Sequence, residues 1–389
     1  MHYITADFIF DGYQFLPENS ALVLNSEFQI MEIVSKDSLS DVQYYLGLLM
    51  PGMINTHCHL ELSHLLGAIP EHTGLVDFLL QVPTLRQQYC QKDIQNAIRS
   101  AEQQMLQNGI VAVGDICNSI DSLEIKKNKH LHYHSFIECL GLAPSLAEKR
   151  FQQAFELQQS FNPFHTSSIV MHAPYSVSPD LSSLISRVAI NSVSSIHNQE
   201  CQAENDWFLY ETGELQKLFD AFRQLSIATN ESGKGSIHSY IHYLQSCRNL
   251  ILVHNTFTCG NDIEFVHDQH PHVFWCLCPN ANLYIENALP NVSLLRQIGC
   301  NITLGTDSLA SNHQLSIYCE MQTIHAAFPE IPVSELLQWA TLNGAQALNM
   351  QTNLGSFEVG KTPGIVQIEN FTSINLLPRQ PIIHRIDIS

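Results

Sequence analysis

Two histidines two residues apart, His57-Cys58-His59, follow a short strand-like stretch, Met53-Ile54-Asn55-Thr56. Residues i and i+2 of a strand share a face, so the two imidazoles can converge on one point and supply half of a transition-metal site. In a chain with 20 histidines such a pair arises readily without a metal. Its weight depends on what lies downstream. Cys58 takes the opposite face and reads as core.

Further strand-like runs end in residues of the same kind. Val193 to His197 is followed three residues later by Glu200, Leu250 to His254 closes on an imidazole, and Asn301 to Asp307 closes on a carboxylate. His57, His59, His197 and Asp307 together make a nitrogen-rich donor set suited to one Zn²⁺, and Fe²⁺ or Mn²⁺ suit the same donors. A two-metal site would want a bridging group such as a modified lysine at the end of the fourth strand, and Ser168 to His172 contains no lysine. A divalent ion there would bring the pKa of bound water down to roughly 7. Asp307 can ligate and also take a proton from that water. Glu200 is placed to carry the proton to a substrate nitrogen and on to a leaving amine. His254 would orient or polarise the attacked centre, and His172 faces the same mouth as a substrate contact. Each of these has a plainer explanation, a hydrogen-bonded strand-end histidine or a carboxylate at a helix start. Four such residues at four suitable positions weigh against it.

The elements that must position these groups alternate strand and helix from about residue 51 to 353. Eight candidate strands end near His57, Asp115, Glu138, His172, His197, His254, Cys276 and Asp307. Between them run helices such as Asp93 to Asn108, one after Ser178-Pro179-Asp180 with Ser as N-cap and Pro at the first position, Ser236 to Ser246, and Val333 to Leu342. Eight such units predict a parallel (β/α)8 TIM barrel, whose reactive groups sit at the C-terminal strand ends. Extra material separates the fifth and sixth strands. Asp115 and Glu138 read as supporting groups, and His130, His132 and His134 as sheet surface. Residues 1–50 and 354–389 both read as short strands and turns, and are expected to share a small β-sandwich domain, with 51–353 inserted between them.

Composition narrows the function classes. The 389 residues carry a net charge of −19, with a pI near 5.4. Such a surface would repel nucleic acid and anionic membranes. No apolar stretch approaches a membrane span, and the N-terminus lacks the basic start and apolar run of a signal peptide. The 11 cysteines, an odd number in a long chain, read as reduced and mostly buried, and point to the cytoplasm. A small molecule is the expected partner, with a homodimer the default assembly.

The motifs resemble those of the amidohydrolase superfamily, in its branch of metal-dependent deaminases and triazine hydrolases. They are Pro51-Gly52-Met53-Ile54-Asn55-Thr56-His57-Cys58-His59-Leu60-Glu61, His172-Ala173-Pro174-Tyr175-Ser176, Ser195-Ile196-His197-Asn198-Gln199-Glu200 and Leu252-Val253-His254-Asn255. Cys278-Pro279-Asn280-Ala281-Asn282, Leu304-Gly305-Thr306-Asp307-Ser308-Leu309-Ala310-Ser311-Asn312 and Gly355-Ser356-Phe357-Glu358-Val359-Gly360-Lys361 complete the series. The resemblance implies a barrel flanked by a β-sandwich, and one divalent metal on His57, His59, His197 and Asp307. It makes Glu200 and His254 catalytic, and places His172 and Ser311 near the substrate. His59-Leu60-Glu61-Leu62-Ser63-His64 and Thr73 to Leu79 are similar to aminodeoxyfutalosine deaminases. Arg86 stands where many nucleoside-type deaminases show an acidic residue nearby, so Arg86 or Arg150 is a candidate to pair with a substrate carboxylate. The expected activity is deamination of a purine-like or other N-heterocyclic substrate. An amide hydrolase on the same site is the alternative, and a non-catalytic relative a third.

Overall fold

The computed structural model describes residues 1–222 and 233–386. Four strands come first: β1 (His2–Ile9), β2 (Ser20–Leu24), β3 (Ile30–Ser35) and β4 (Gln43–Pro51). Eight more follow, each separated from the next by helical segments: β5 (Met53–Cys58), β6 (Ile110–Cys117), β7 (His132–Cys139), β8 (Thr166–Met171), β9 (Val193–Asn198), β10 (Asn249–His254), β11 (Val273–Leu277) and β12 (Asn301–Leu304). The last two are β13 (Ile365–Ile368) and β14 (Ile383–Arg385).

β5 to β8 and β9 to β12 form two four-stranded sheets, parallel throughout. Every residue of β5, β6, β9 and β10 is buried, the pattern of parallel strands covered on both faces. The two sheets meet at their C-terminal ends. The His197 amide donates to the His172 carbonyl at 2.9 Å, and the Thr306 and Asp307 amides donate to the His57 carbonyl at 3.0 and 3.1 Å. Cys58 and Asp307 form a parallel bridge there. The fold is TIM-barrel-like, and both seams lie beside the histidines.

The helices obey local rules. Gln91–Gln107 buries Ile94, Ile98, Ala101 and Met105 on one face, a 3.6-residue period. Pro179–Val188 starts with Pro at its first turn, and the Ser178 hydroxyl accepts from the Leu181 amide at 3.3 Å. The helix expected over Ser236 to Ser246 is shorter: one turn at Ile237–Tyr240 and a 3-10 turn at Ile241–Tyr243. Val333–Gln338 passes into a π segment at Trp339–Asn343.

β4 and β13 pair antiparallel, with Ile365 opposite Pro51 and Ile368 opposite Leu48. With β1, β2, β3 and β14 they make one six-stranded sheet in the order β14-β13-β4-β1-β2-β3, rather than two facing sheets. The strands pair edge to edge, which short apolar runs do not encode. A second difference concerns His134, which is buried rather than on a sheet surface and meets the Thr166 and Ser168 hydroxyls at 3.1 and 2.9 Å. His130 is outside and pairs with Glu102 at 3.2 Å. Cys58 is fully buried, and all the cysteines are unpaired. Among the described residues no helix is long and apolar enough to cross a membrane.

Candidate active site

The end of β5 is fastened to the segment after β12. Asn55 donates to the Thr306 hydroxyl at 2.7 Å and accepts the Thr306 amide at 3.1 Å, and the Thr56 hydroxyl donates to the Leu304 carbonyl at 2.8 Å. Gly305 permits this approach: a Cβ there would lie 2.8 Å from the His57 Cβ and 2.9 Å from the Cys276 Sγ. The chain then turns through Asp307 at φ +55°, a left-handed conformation that costs a non-glycine residue of order 1–3 kcal/mol. The turn brings the Asp307 carboxylate onto the histidines. Its Oδ1 lies 3.5 Å from His57 Nε2 and 3.4 Å from His59 Nε2, and its Oδ2 accepts from the Ser311 hydroxyl at 2.5 Å.

His197 arrives from β9 with its tautomer settled. Its Nδ1 lies 2.8 Å from the His172 carbonyl, which can only accept, so Nδ1 carries the hydrogen and Nε2 a lone pair. That Nε2 is 3.2 Å from His59 Nε2. Donors bound tetrahedrally at 2.0–2.1 Å from Zn²⁺ stand about 3.4 Å apart, and the separations of 3.2, 3.4 and 3.5 Å fall around that value. Both ring nitrogens of His57 are buried without a hydrogen-bond partner, an arrangement that costs free energy unless something binds there. Burial holds the His57 imidazole down at about 4 and His197 well below its usual value, so both are neutral near pH 7. Burial alone would raise Asp307, but His57, His59 and His254 hold its carboxyl well below the usual range. Neutral imidazoles around an ionised carboxylate fit a divalent cation.

The donor atoms group in three ways among the described residues: His57, His59 and Asp307; His57, His197 and His254; and Glu138, His172 and His197. The first two share His57 and face one point. The third would need His197 Nδ1, which the His172 carbonyl already engages, while Glu138 Oε1 stays 3.7 Å away.

His254 and Glu200 stand opposite one another. His254, at φ +74°, has Nδ1 2.8 Å from the Asn282 carbonyl oxygen, and the Asn282 amide nitrogen donates to the Thr256 hydroxyl at 2.8 Å. The His254 Nε2 is therefore the lone-pair nitrogen, 3.6 Å from Glu200 Oε1. Glu200 is buried, and burial with the neighbouring Asp307 charge pushes its carboxyl well above the ordinary range. Its loop, with Gln199 at φ +45°, is braced from below: Glu204 Oε1 accepts the Gln199 amide at 3.0 Å and the Ser236 hydroxyl at 2.5 Å.

These groups open into a cavity of about 340 Å³, and His59, His172, His197, Glu200, His254, Asp307 and Arg86 lie on its wall. The Arg86 guanidinium is engaged by protein groups: Glu61 Oε1 at 3.0 Å, Asp121 Oδ2 at 2.9 Å and the Ser119 hydroxyl at 3.2 Å. Arg150 lines a separate cleft, with Leu140 and Glu138 between the two. Ser311 lies behind Asp307 rather than on the cavity wall. The sequence reading assigned no task to Asn282, Glu204 or Glu61. Glu204 lies in the first turn of the helix Gln202–Tyr210, which begins two residues after Glu200.

A sequence model of the amidohydrolase family matches residues 48–379. The chain is 28% identical over 325 residues to the adenosine deaminase of Helicobacter pylori, covering 81% of this chain and 77% of that one. It superposes with a TM-score of 0.82 on the crystal structure of H. pylori aminofutalosine deaminase in complex with methylthio-coformycin, at 25% identity over 96% and 94% of the two chains. An adenosine deaminase from Xanthomonas campestris with bound zinc superposes at 0.73, with 20% identity over 94% and 84%. The family match spans the strand ends that carry the histidine cluster, and the chain belongs to the amidohydrolase family, hydrolases of carbon–nitrogen bonds other than peptide bonds.

Proposed function

We propose that the protein is an aminohydrolase that releases ammonia from a purine-like or related N-heterocyclic substrate. The observation that carries this is the buried Glu200 carboxyl, held high, 3.6 Å from the His254 lone pair and beside an ionised Asp307. A carboxylic acid and a carboxylate at one mouth suit proton delivery and proton removal. The relatives named deaminases support the same reading.

One divalent ion, Zn²⁺ by its nitrogen-rich donors and Fe²⁺ or Mn²⁺ by the same set, would be held by His57, His59, His197 and Asp307. When bound it would lower the pKa of water and supply a nucleophile at neutral pH. The chain's own groups then divide the work. As water adds to the amino-bearing ring carbon, Asp307 takes one of its protons and Glu200 gives its proton to the adjoining ring nitrogen. As the carbon–nitrogen bond to the exocyclic amine breaks, Asp307 returns its proton to that amine, which leaves as ammonia. Glu200 takes back the proton of the new hydroxyl as the carbonyl forms. His254 orients the attacked carbon, and His172, whose Nδ1 is 2.7 Å from the Ser176 hydroxyl, contacts the ring. We read β5–β12 as the strands of a closed (β/α)8 barrel spanning 51–353, with 1–50 and 354–389 as the composite β domain.

Ammonia release from a panel of amino-substituted purines, pterins and nucleosides by the metal-loaded protein tests the reading. A carboxylate product without ammonia would replace it with an amide hydrolase.

A further inference from the structure

We propose that the part of the cavity walled by the helices Leu75–Arg86 and Leu215–Ala221 is a subsite for an uncharged, apolar substituent of the substrate, and that it disfavours a carboxylate. The inference rests on the aminohydrolase reading for what occupies the histidine end of the same cavity.

The first observation is the wall itself. Phe78, Leu79 and Val82 come from one helix, Leu218 and Phe219 from the other, and Phe222 follows its end. Phe78, Leu218 and Phe219 are buried. Leu79 and Val82 are only half-buried, and Phe222 is 43% exposed. The two helices therefore pack against each other and still leave apolar surface facing the cavity. Concave apolar surface beside a few polar groups is what a small-molecule subsite offers.

The second observation is charge. Among the described residues on the wall, Arg86 alone carries a permanent positive charge. Its guanidinium already meets two carboxylates, Glu61 at 3.0 Å and Asp121 at 2.9 Å. Neither carboxylate is free to withdraw. Glu61 Oε2 also accepts the Ser119 amide and hydroxyl at 3.0 and 2.8 Å, and Asp121 Oδ1 accepts from Gln91 at 2.7 Å. Two carboxylates on one guanidinium leave the cluster net negative. An incoming carboxylate would have to displace one of them or stay unpaired in an apolar chamber, and both cost free energy. Glu138 puts a further carboxylate on the same wall, its Oε2 accepting from Asn118 at 2.9 Å and its Oε1 buried without a hydrogen bond. Arg86 is thus a positioning residue. It bolts the end of the Leu75–Arg86 helix to the segment after His59 and to the loop after β6, and so holds the apolar wall in place.

The test uses two matched compounds: adenosine carrying a butylthio group on the ribose primary carbon, and the analogue whose terminal methyl is a carboxylate. Binding is measured by calorimetry on the zinc-loaded Glu200→Gln protein, and kcat/KM by ammonia release from the wild type. The methyl-ended compound is expected to bind at least about tenfold tighter and to show the higher kcat/KM. Asp121→Asn removes one partner of Arg86 and should narrow the ratio several-fold, by improving the carboxylate compound. Leu79→Lys, on the half-buried wall, should narrow or reverse it. Equal or tighter binding of the carboxylate compound overturns the inference, as does binding of neither compound or a ratio unmoved in both variants. Tighter binding of the methyl-ended compound with no ammonia released would leave the subsite standing and remove the aminohydrolase reading.

Discussion

Lys126 Nζ lies 2.6 Å from Asp115 Oδ2, and both side chains are fully buried. The other Asp115 oxygen accepts the Leu60 amide at 2.8 Å, one residue past His59. The ammonium also meets the Cys117 Sγ at 3.1 Å and the Ser135 hydroxyl at 2.8 Å. Burial works against its charge, but Asp115 and Cys117 prevail and raise its pKa. The pair ties β6 to the turn that carries the histidines. Lys126→Met should destabilise the protein by about 3–5 kcal/mol, because it strands a buried carboxylate. The double variant with Asp115→Asn should lose less than the single one. Denaturant unfolding of the three proteins checks this, and a single variant within about 1 kcal/mol of wild type would refute it.

Glu200 is expected to move protons without holding the metal. Glu200→Gln keeps the shape and a hydrogen-bonding side chain but cannot exchange a proton. It should bind a full equivalent of metal and lose kcat by about 10²–10⁴-fold. Metal content by elemental analysis and turnover by ammonia release separate the two effects. Activity near wild type would remove Glu200 from the proton path.

His197 has the opposite expectation. With Nδ1 held by the His172 carbonyl and Nε2 turned to His59, the ring has only its Nε2 lone pair to offer the cluster. His197→Ala should be isolated with well under one equivalent of metal, where wild type is expected to hold one. Full occupancy in the variant, measured after dialysis against the same buffer, would place His197 outside the metal's ligands.

The parts of the site that could be read from the sequence are those that obey a positional rule. His57, His197 and His254 come at the ends of strand-like runs, and a parallel strand delivers its last residues to the mouth. Asp307 could be found although the regular strand ends at Leu304, because Gly305-Thr306-Asp307 continues the same direction. Arg86 shows where such reading stops. Its type, where many nucleoside-type deaminases show an acidic residue nearby, invited a substrate carboxylate, but its partners Glu61 and Asp121 lie 25 and 35 residues away, and no local period links them. The single six-stranded sheet was hidden for a related reason: alternating short strands show which side faces the core, but not whether two groups of strands pair by edges or pack by faces. Nor did strand-end reading reveal Glu320, a buried carboxylate on the helix Ile317–Ala327.

Glu320 gives a pH prediction with a definite sign. It accepts from the Asn280 amide at 2.9 Å, the Asn280 side chain at 3.0 Å and the Asn312 side chain at 2.8 Å, joining the helix Pro279–Glu286 after β11 to the loop after β12. Burial outweighs these bonds and pushes the carboxyl up to about 8, from an ordinary value of 4.5. Between those two values the folded state binds more protons than the unfolded state, so stability falls as pH rises. The contribution is fully present below the ordinary value and is lost as pH rises through about 8. The slope from this group is at most about 1.4 kcal/mol per pH unit. Glu320→Gln keeps the size of the side chain and removes the titration. It should therefore flatten the decline of the denaturation midpoint between pH 6 and about 8.5 relative to wild type at the same metal concentration. Parallel pH profiles for the two proteins would show that the carboxyl is ionised in the fold throughout that range.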